Sequence, residues 1–334
     1  MNPVKLEDIA RELNLSVSTV SRAISGRGRV GEKTRARVME AVRKTDYRIN
    51  DVARALRMKT AKNIGIIVPD ISNSFFASVI KGAQQRCRQE GYTLIVCNSD
   101  ESPAIEDEVL QTLLGKQISG LVLASVVESR SILKQYGHAG VPIVYIDNIP
   151  QGGRGYDSVS IDNLAATRRL TLAMLERGYR DIGMITGPGS QSTGALRRQG
   201  FEEALRERGI APVEEWIQTG MFTMESGCDG MRRILKLPRR PRAMLFANNY
   251  IAYGAMRAIR EAKLSVPGDI AFTAFDAMDA TGLITPLITS LNQPAQQTGD
   301  RAVEILMERL SGREGGGGDE RVALEPLFVD GDSW

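Results

Sequence analysis

A chain of 334 residues with a single histidine, His138, lacks the group most enzymes use to move protons. With one imidazole, Ser-His and Cys-His relays and most metal cages are closed to it unless His138 serves alone, and "YGHAGVP" reads as a loop between a helix and a strand. Cys87, Cys97 and Cys228 are far apart and form no C-x-x-C pair, so they read as reduced thiols. Two glycine-rich stretches invite a phosphate reading, and neither sustains it. "GRGRVG" (Gly26, Gly28, Gly31) follows a helical pattern where a dinucleotide site needs a strand, and "GPGSQSTG" has no lysine after Gly194. No cofactor, no metal and no catalytic residue is expected. The alternatives kept open are a small-molecule enzyme and a solute-binding protein.

What remains is the chemistry of recognition, and the charge layout says where. Residues 1–60 carry 14 Lys and Arg against 7 Asp and Glu, while the rest of the chain has a small acidic excess. A basic head on a mildly acidic body is the layout of a nucleic-acid-binding module joined to something else. No apolar run approaches the ~20 residues of a membrane helix. The start, "MNPVKLEDIA", has no apolar signal region, so a cytoplasmic protein is expected.

In the head, Leu6, Ile9, Ala10 and Leu13 fall on one helical face. Asn14 tolerates the left-handed turn that follows, and Ser16 can cap a second helix. That helix, "VSTVSRAI", turns Val20 and Ile24 inward and leaves Val17, Ser18, Ser21 and Arg22 on a small, nearly uncharged outer face. Such a face suits a DNA major groove, where Arg22 can fork to guanine and Val17 can meet a thymine methyl. Ser16, Thr19 and Ser21 would bond phosphates or cap the helix. A third helix is expected from Glu32 to Tyr47, with Val38, Ala41 and Val42 inward, and Arg29 lies in a basic loop before it. A generic three-helix bundle is the plainer alternative.

The patterns "EDIA", "VSTVSR", "VGEKTRARV" and "YRINDVARALR" together resemble the head of the LacI/GalR family of transcriptional regulators, and the resemblance continues toward the C-terminus. Asn14 stands where glycine is usual, Gly31 where a capping serine is usual, and Ile49 where proline is usual. The resemblance implies a helix-turn-helix domain over 1–49 and a hinge helix and linker over 50–61. In the hinge, Asn50 can cap, while Ala53 and Leu56 are apolar, with Leu56 wedging into the minor groove across a dimer. It implies a two-lobed, periplasmic-binding-protein-like effector domain over 62–334, so the fold class is an all-α head plus an α/β body. Lobe one is expected over about 62–160 and 293–319 and lobe two over about 161–290 and 320–334, with crossings near 159–163, 288–293 and 319–323. The end at Trp334 shows no heptad tail, so a homodimer on a pseudo-palindromic operator is expected.

The body supports this on its own terms. "NIGIIVP", "YTLIVCN", "GLVLAS" and "PIVYIDN" read as buried parallel strands, as do "DIGMITG", "AMLFAN" and "DIAFTAF" after them. The spacing from Gly65 to Gly91 repeats from Gly183 to Gly209, so the two lobes share one plan. Ligands sit at the carboxyl ends of such strands. There the sequence offers Asn73, Phe75 and Phe76 (Phe76 equally a core residue), then Asp147-Asn148, Asp276 and Gln293. Matching the family's segments adds Arg197, Phe222 and Asn248. An Arg fork, carboxylates, amides and an aromatic face are the means of gripping a sugar, a sugar acid or a nucleoside.

Overall fold

The computed structural model describes residues 6–25, 30–45, 62–127, 131–149, 156–277, 283, 285–312 and 320–334. The chain divides into two units between Lys59 and Thr60. Arg29, Asn50, Ala53, Leu56 and the rest of the expected hinge lie outside the described residues, as does the glycine run before Glu320.

Six buried side chains, Ile9, Ala10, Val20, Ala23, Val38 and Ala41, make the core of the head. They come from α1 (Leu6–Glu12), α2 (Val17–Ser25) and α3 (Glu32–Lys44), each a helix too short to stand alone in water. Asn14 makes the tight turn with φ 55°. Ser16 Oγ accepts from the Thr19 amide at 3.1 Å and so starts α2. Inward on α2 are Val20 and Ala23, with Ile24 only half-buried, a small shift from the expected Val20 and Ile24. The third helix ends at Lys44, earlier than the expected Tyr47, and Gly31 before it supplies no side-chain cap.

In the body, apolar runs became strands whose faces are covered by helices, except the run Thr93–Asn98, expected to be buried, which is the sheet edge and leaves Val96 exposed. Lobe one carries β1 (Asn63–Val68), β2 (Thr93–Asn98), β3 (Gly120–Leu123), β4 (Ile143–Ile146) and β5 (Asp157–Ser160). Lobe two carries β6 (Ile182–Thr186), β7 (Ile217–Thr219), β8 (Ala243–Phe246), β9 (Ala271–Phe275) and β10 (Thr289–Asn292). The last two strands are β11 (Arg321–Ala323) and β12 (Leu327–Val329). The sheet orders are β11-β5-β4-β3-β1-β2 and β12-β10-β9-β8-β6-β7, so strand for strand the lobes match. All pairs are parallel except β10 with β12. Gly91 and Gly209, the glycines singled out by the repeat, have φ +72° and +70° and end equivalent helices.

Chain passages between the lobes follow β5 and β10 as expected. The third falls later than the expected 319–323. Arg321, Val322 and Ala323 still pair with Ser158, Val159 and Ser160 of lobe one, so the expected start of lobe two's last segment at 320 is corrected to a crossing between Ala323 and Leu327.

Helix α4 (Ser74–Gln89) and helix α11 (Ala295–Leu310), distant in sequence, cover one face of lobe one together. They cross closely through glycine. A Cβ on Gly299 would sit 1.9 Å from the Val79 carbonyl oxygen, and one on Gly82 would sit 2.0 Å from that of Gln296.

Candidate functional site: a carboxylate-lined cleft and an exposed helix face

The head presents Val17, Ser18 and Arg22 exposed and Thr19 and Ser21 half-buried, so the small outer face of α2 faces solvent as the sequence reading has it. Ser16 Oγ lies 2.9 Å from Ser18 Oγ and 2.7 Å from Thr19 Oγ1, a hydroxyl cluster at the helix start.

In the body, a cavity of about 280 Å³ opens between the lobes at the carboxyl ends of the strands. Asn73, Phe75, Phe76, Asn148, Arg197, Phe222, Asn248, Asp276 and Gln293 all line it, so the structure gathers into one cavity every candidate the sequence offers for the cleft. Asp147, named in the sequence beside Asn148, lines it too, and the structure adds Asp70, Glu101, Gln191, Thr193 and Asn249, among others.

These residues differ in what they have left to offer. The three asparagines from the sequence reading spend their amides on the protein. Asn73 caps α4 through the Phe75 amide at 3.0 Å and makes a reciprocal amide pair with Asn249 of the other lobe, at 3.1 and 2.9 Å. Asn248 caps α10 (Asn249–Glu261) through the Ile251 amide at 2.8 Å and donates to the Phe222 carbonyl at 3.2 Å. Asn148 donates to the Ser125 carbonyl and accepts from the Ser192 amide and hydroxyl at 2.6 and 2.7 Å. That bond supplies an acceptor to the first turn of α8 (Ser192–Glu207), where Gln191 gives no side-chain cap of its own. A lobe-one side chain therefore starts a lobe-two helix.

Arg197 projects from α8 and is 2% exposed. Its Nε donates to Asn163 Oδ1 at 2.7 Å, its Nη1 to the Ala247 carbonyl, and its guanidinium lies 4.2 Å from the Phe275 ring centroid. Its Nη2 has no partner, and neither does Oγ1 of Thr193, one turn earlier and 1% exposed. Buried polar groups without partners are costly, and both face this cavity.

Two carboxylates flank the guanidinium. Asp147 follows β4 and Asp276 follows β9, equivalent strands of the two sheets, with φ 57° and 55°. Asp276 accepts from the Gln293 amide and side chain at 2.8 and 2.7 Å. Burial raises the Asp276 carboxyl above its ordinary range and pushes Asp147 up to about 6, and Arg197 opposes both shifts. Burial also lowers the Arg197 pKa, opposed by the two aspartates. Phe222 packs its ring against the bare backbone of Gly187, whose Cβ position would overlap it. Phe75 and Phe76 meet edge to face at 5.0 Å, and both belong to the lobe-one core as well as to the cavity wall.

Asp147 was in view in the sequence only as the neighbour of Asn148. Aligning the repeats would have found it, since "YIDN" and "AFDA" put an aspartate just past equivalent strands. Glu101 and Thr193 carry no local signal of this kind. Among the described residues no acidic, Cys and His group could hold a metal, and no helix is long and apolar enough to cross a membrane.

A solvent-facing second helix in a three-helix head, and a two-lobed body with unfilled polar groups in its cleft, define a ligand-responsive DNA-binding regulator as the class. The comparisons specify it. Residues 5–50 match the family model for bacterial regulatory proteins of the lacI family, and residues 61–322 match the model for periplasmic binding proteins and the sugar binding domain of the LacI family. The chain belongs to the LacI family. It is 34% identical over 307 residues to the HTH-type transcriptional repressor PurR of Proteus mirabilis, covering 91% of this chain and 90% of that one. It is 29% identical over 328 residues to the ribose operon repressor of Escherichia coli, covering 97% and 98%. The lac repressor dimer bound to operator and the anti-inducer ONPF superposes with a TM-score of 0.87 at 25% identity, covering 99% of both chains. The complex of the regulator CelR with cellobiose gives 0.76 at 26%, covering 99% and 100%.

Proposed function

We propose that this chain is a cytoplasmic transcriptional repressor that binds an operator as a homodimer through α2 and changes its grip when a small sugar-like molecule fills the cleft. The observation that carries the effector half is the pair of buried, unpartnered groups, Arg197 Nη2 and Thr193 Oγ1, one turn apart on α8 and facing the same cavity. Adjacent hydroxyls of a sugar answer this arrangement, because each hydroxyl accepts from the arginine or threonine while donating to Asp147 or Asp276. Phe222, Phe75 and Phe76 cover the apolar side of a ring. The volume, about 280 Å³, lies just below the ~300–1,000 Å³ typical of ligand sites, which favours a single ring.

In the head, Val17, Ser18 and Arg22 read bases while Ser16, Thr19 and Ser21 hold phosphate or start the helix. Arg29 in the basic loop would meet the backbone, and Asn50, Ala53 and Leu56 would form the hinge on DNA. The enzyme alternative has no support in the relatives, which are DNA-binding repressors. Effector and operator sites are thermodynamically linked, by ~1–3 kcal/mol in typical cases.

The test selects operator duplexes from a random pool, then titrates the protein–duplex complex with sugars, polyols and nucleosides at fixed salt. Sequence-preferring, salt-dependent binding that a sugar changes supports the reading. Release marks an inducer and tightening a corepressor. Sequence-independent binding, or an operator affinity that no small molecule alters, overturns it.

A further inference from the structure

We propose that Glu101 selects the charge of the effector, admitting uncharged and ammonium-bearing sugars and excluding carboxylated and phosphorylated ones. This rests on the sugar reading of the cleft and extends it to a property that reading leaves open, since an arginine in a sugar site would by itself welcome an acid.

The described wall of the cavity holds five carboxylates, Asp70, Glu101, Asp147, Glu225 and Asp276, and one cationic side chain, Arg197. The charge of that arginine is already matched by its two neighbours, Asp147 and Asp276, which act on it electrostatically. Among the described residues no ion pair joins Asp70, Glu101 or Glu225 to a cation, and of these Glu225 is exposed, at the start of its helix. Asp70 directs one oxygen to the Ser72 amide and hydroxyl of its own turn, at 2.8 and 2.6 Å. Among the described residues the Glu101 carboxylate receives only the neutral Gln191 amide of the other lobe, at 3.3 Å. It is repelled by Asp147, Asp70 and Glu106, and burial and that repulsion together raise its pKa. Its backbone is in the left-handed region at φ 54°, next to Asp100 at 50°, so two successive residues at the end of β2 adopt a costly conformation that fixes where the side chain emerges.

The acids alone would not make a binding site. The independent sign of a ligand is the pair Arg197 Nη2 and Thr193 Oγ1, at least nine-tenths buried and without partners in the same cavity. A hydroxyl satisfies Nη2 without adding charge. A carboxylate or phosphate would satisfy it too, but would bring a negative charge into a chamber that already has an excess of them. Desolvated like charges a few ångströms apart repel strongly enough to decide the outcome. An ammonium group relieves the same excess.

The experiment uses the full chain and matched probe sets: D-glucose, D-glucosamine, D-glucuronate and a glucose phosphate ester, with the D-galactose and D-ribose counterparts. Calorimetric titration and thermal shift are read for the wild type, Glu101→Gln and Glu101→Asp. In whichever set binds, the neutral or amino member should bind the wild type about tenfold or more tightly than its acid or phosphate. Glu101→Gln should retain the neutral sugar, lose the preference for the amine and close the gap to the anion by about tenfold, while Glu101→Asp keeps the exclusion. A wild type that binds glucuronate or a sugar phosphate as tightly as the neutral sugar overturns the proposal, and that arm needs no variant to fold. A Glu101→Gln protein that binds the neutral sugar and still excludes the anion also overturns it. Both leave the sugar reading standing. If no member of any set, of either charge, binds the wild type, the sugar reading itself fails and the selectivity proposal falls with it.

Discussion

Asp147 and Asp276 are one residue placed twice, and the cost of burying them sets a measurable pH dependence. The Asp147 carboxyl, pushed up to about 6 by burial, holds its proton more tightly in the folded chain than in the unfolded one. The stability it contributes is therefore fully present below about pH 4 and is lost as pH rises through about 6. A ligand hydroxyl donating to the ionised carboxylate offsets that loss. The thermal shift given by a bound sugar is expected to grow as pH rises from 5 to 7, with a proton released on binding near pH 6. Titration in buffers of different ionisation enthalpy measures the proton, and Asp147→Asn should abolish it; a release unchanged in that variant assigns it elsewhere. Arg197→Ala should leave operator binding intact and remove the effector response, since its described hydrogen bonds, to Asn163 and the Ala247 carbonyl, all lie within the body. In the head, Arg22→Ala is expected to relax base preference at one position per half-site, by about 1–3 kcal/mol, as read by binding to a set of single-base operator variants.

At the scale of elements, the start of α8 depends on the other lobe. Removing its borrowed cap with Asn148→Ala should cost about 0.5–2 kcal/mol, the usual value of an N-cap, and should weaken effector affinity because both Thr193 and Arg197 sit on that helix. Asn148→Asp keeps the acceptor and should recover most of the stability, though it gives up the donor to Ser125. The α4–α11 crossing is tested by Gly299→Ala, which drives a methyl into the Val79 carbonyl and should destabilise the body by about 1–3 kcal/mol, seen as a lowered melting transition with operator recognition by the head unchanged. The elements that were legible in the sequence were those whose burial is written locally. Leu6, Ile9, Ala10 and Leu13 announce α1, and "IGIIV" or "AMLF" can only be an interior strand. β5 (DSVS), β7 (IQT) and β11 (RVA) carry no strand signal of their own, because three or four residues become a strand only through partners supplied by distant segments. The site divides in the same way. Asp276, Asn73 and Phe75 follow readable strands, whereas Arg197 and Phe222 came from the family resemblance. Glu101 and Thr193 gain their meaning from burial against the opposite lobe, which no local pattern encodes.

The molecule as a whole is two copies of one sheet order carrying a separate reader of DNA. Its last residues are structural. Ser333 is fully buried, its Oγ accepts from the Thr289 amide at 2.9 Å and donates to the Phe272 carbonyl at 2.7 Å, and its own carbonyl accepts from the Phe272 amide at 2.7 Å. Trp334 stacks on Arg177 at 4.2 Å. Deleting 333–334 should lower the melting temperature of lobe two while leaving the helical signal of the head unchanged, a separation that calorimetry with two resolved transitions would display.

The late third crossing has a consequence for the order in which the protein comes into being. Every contact in the head's core is local and available once Thr45 has left the ribosome. Lobe one, begun at Asn63, waits for α11 and β11 and cannot finish its sheet before Ala323. At about 5–20 residues per second, roughly 15–60 seconds separate the two events. For that interval each nascent chain carries the complete core of its head beside a body whose first sheet is still open, so the cleft is the last part of the molecule to take shape.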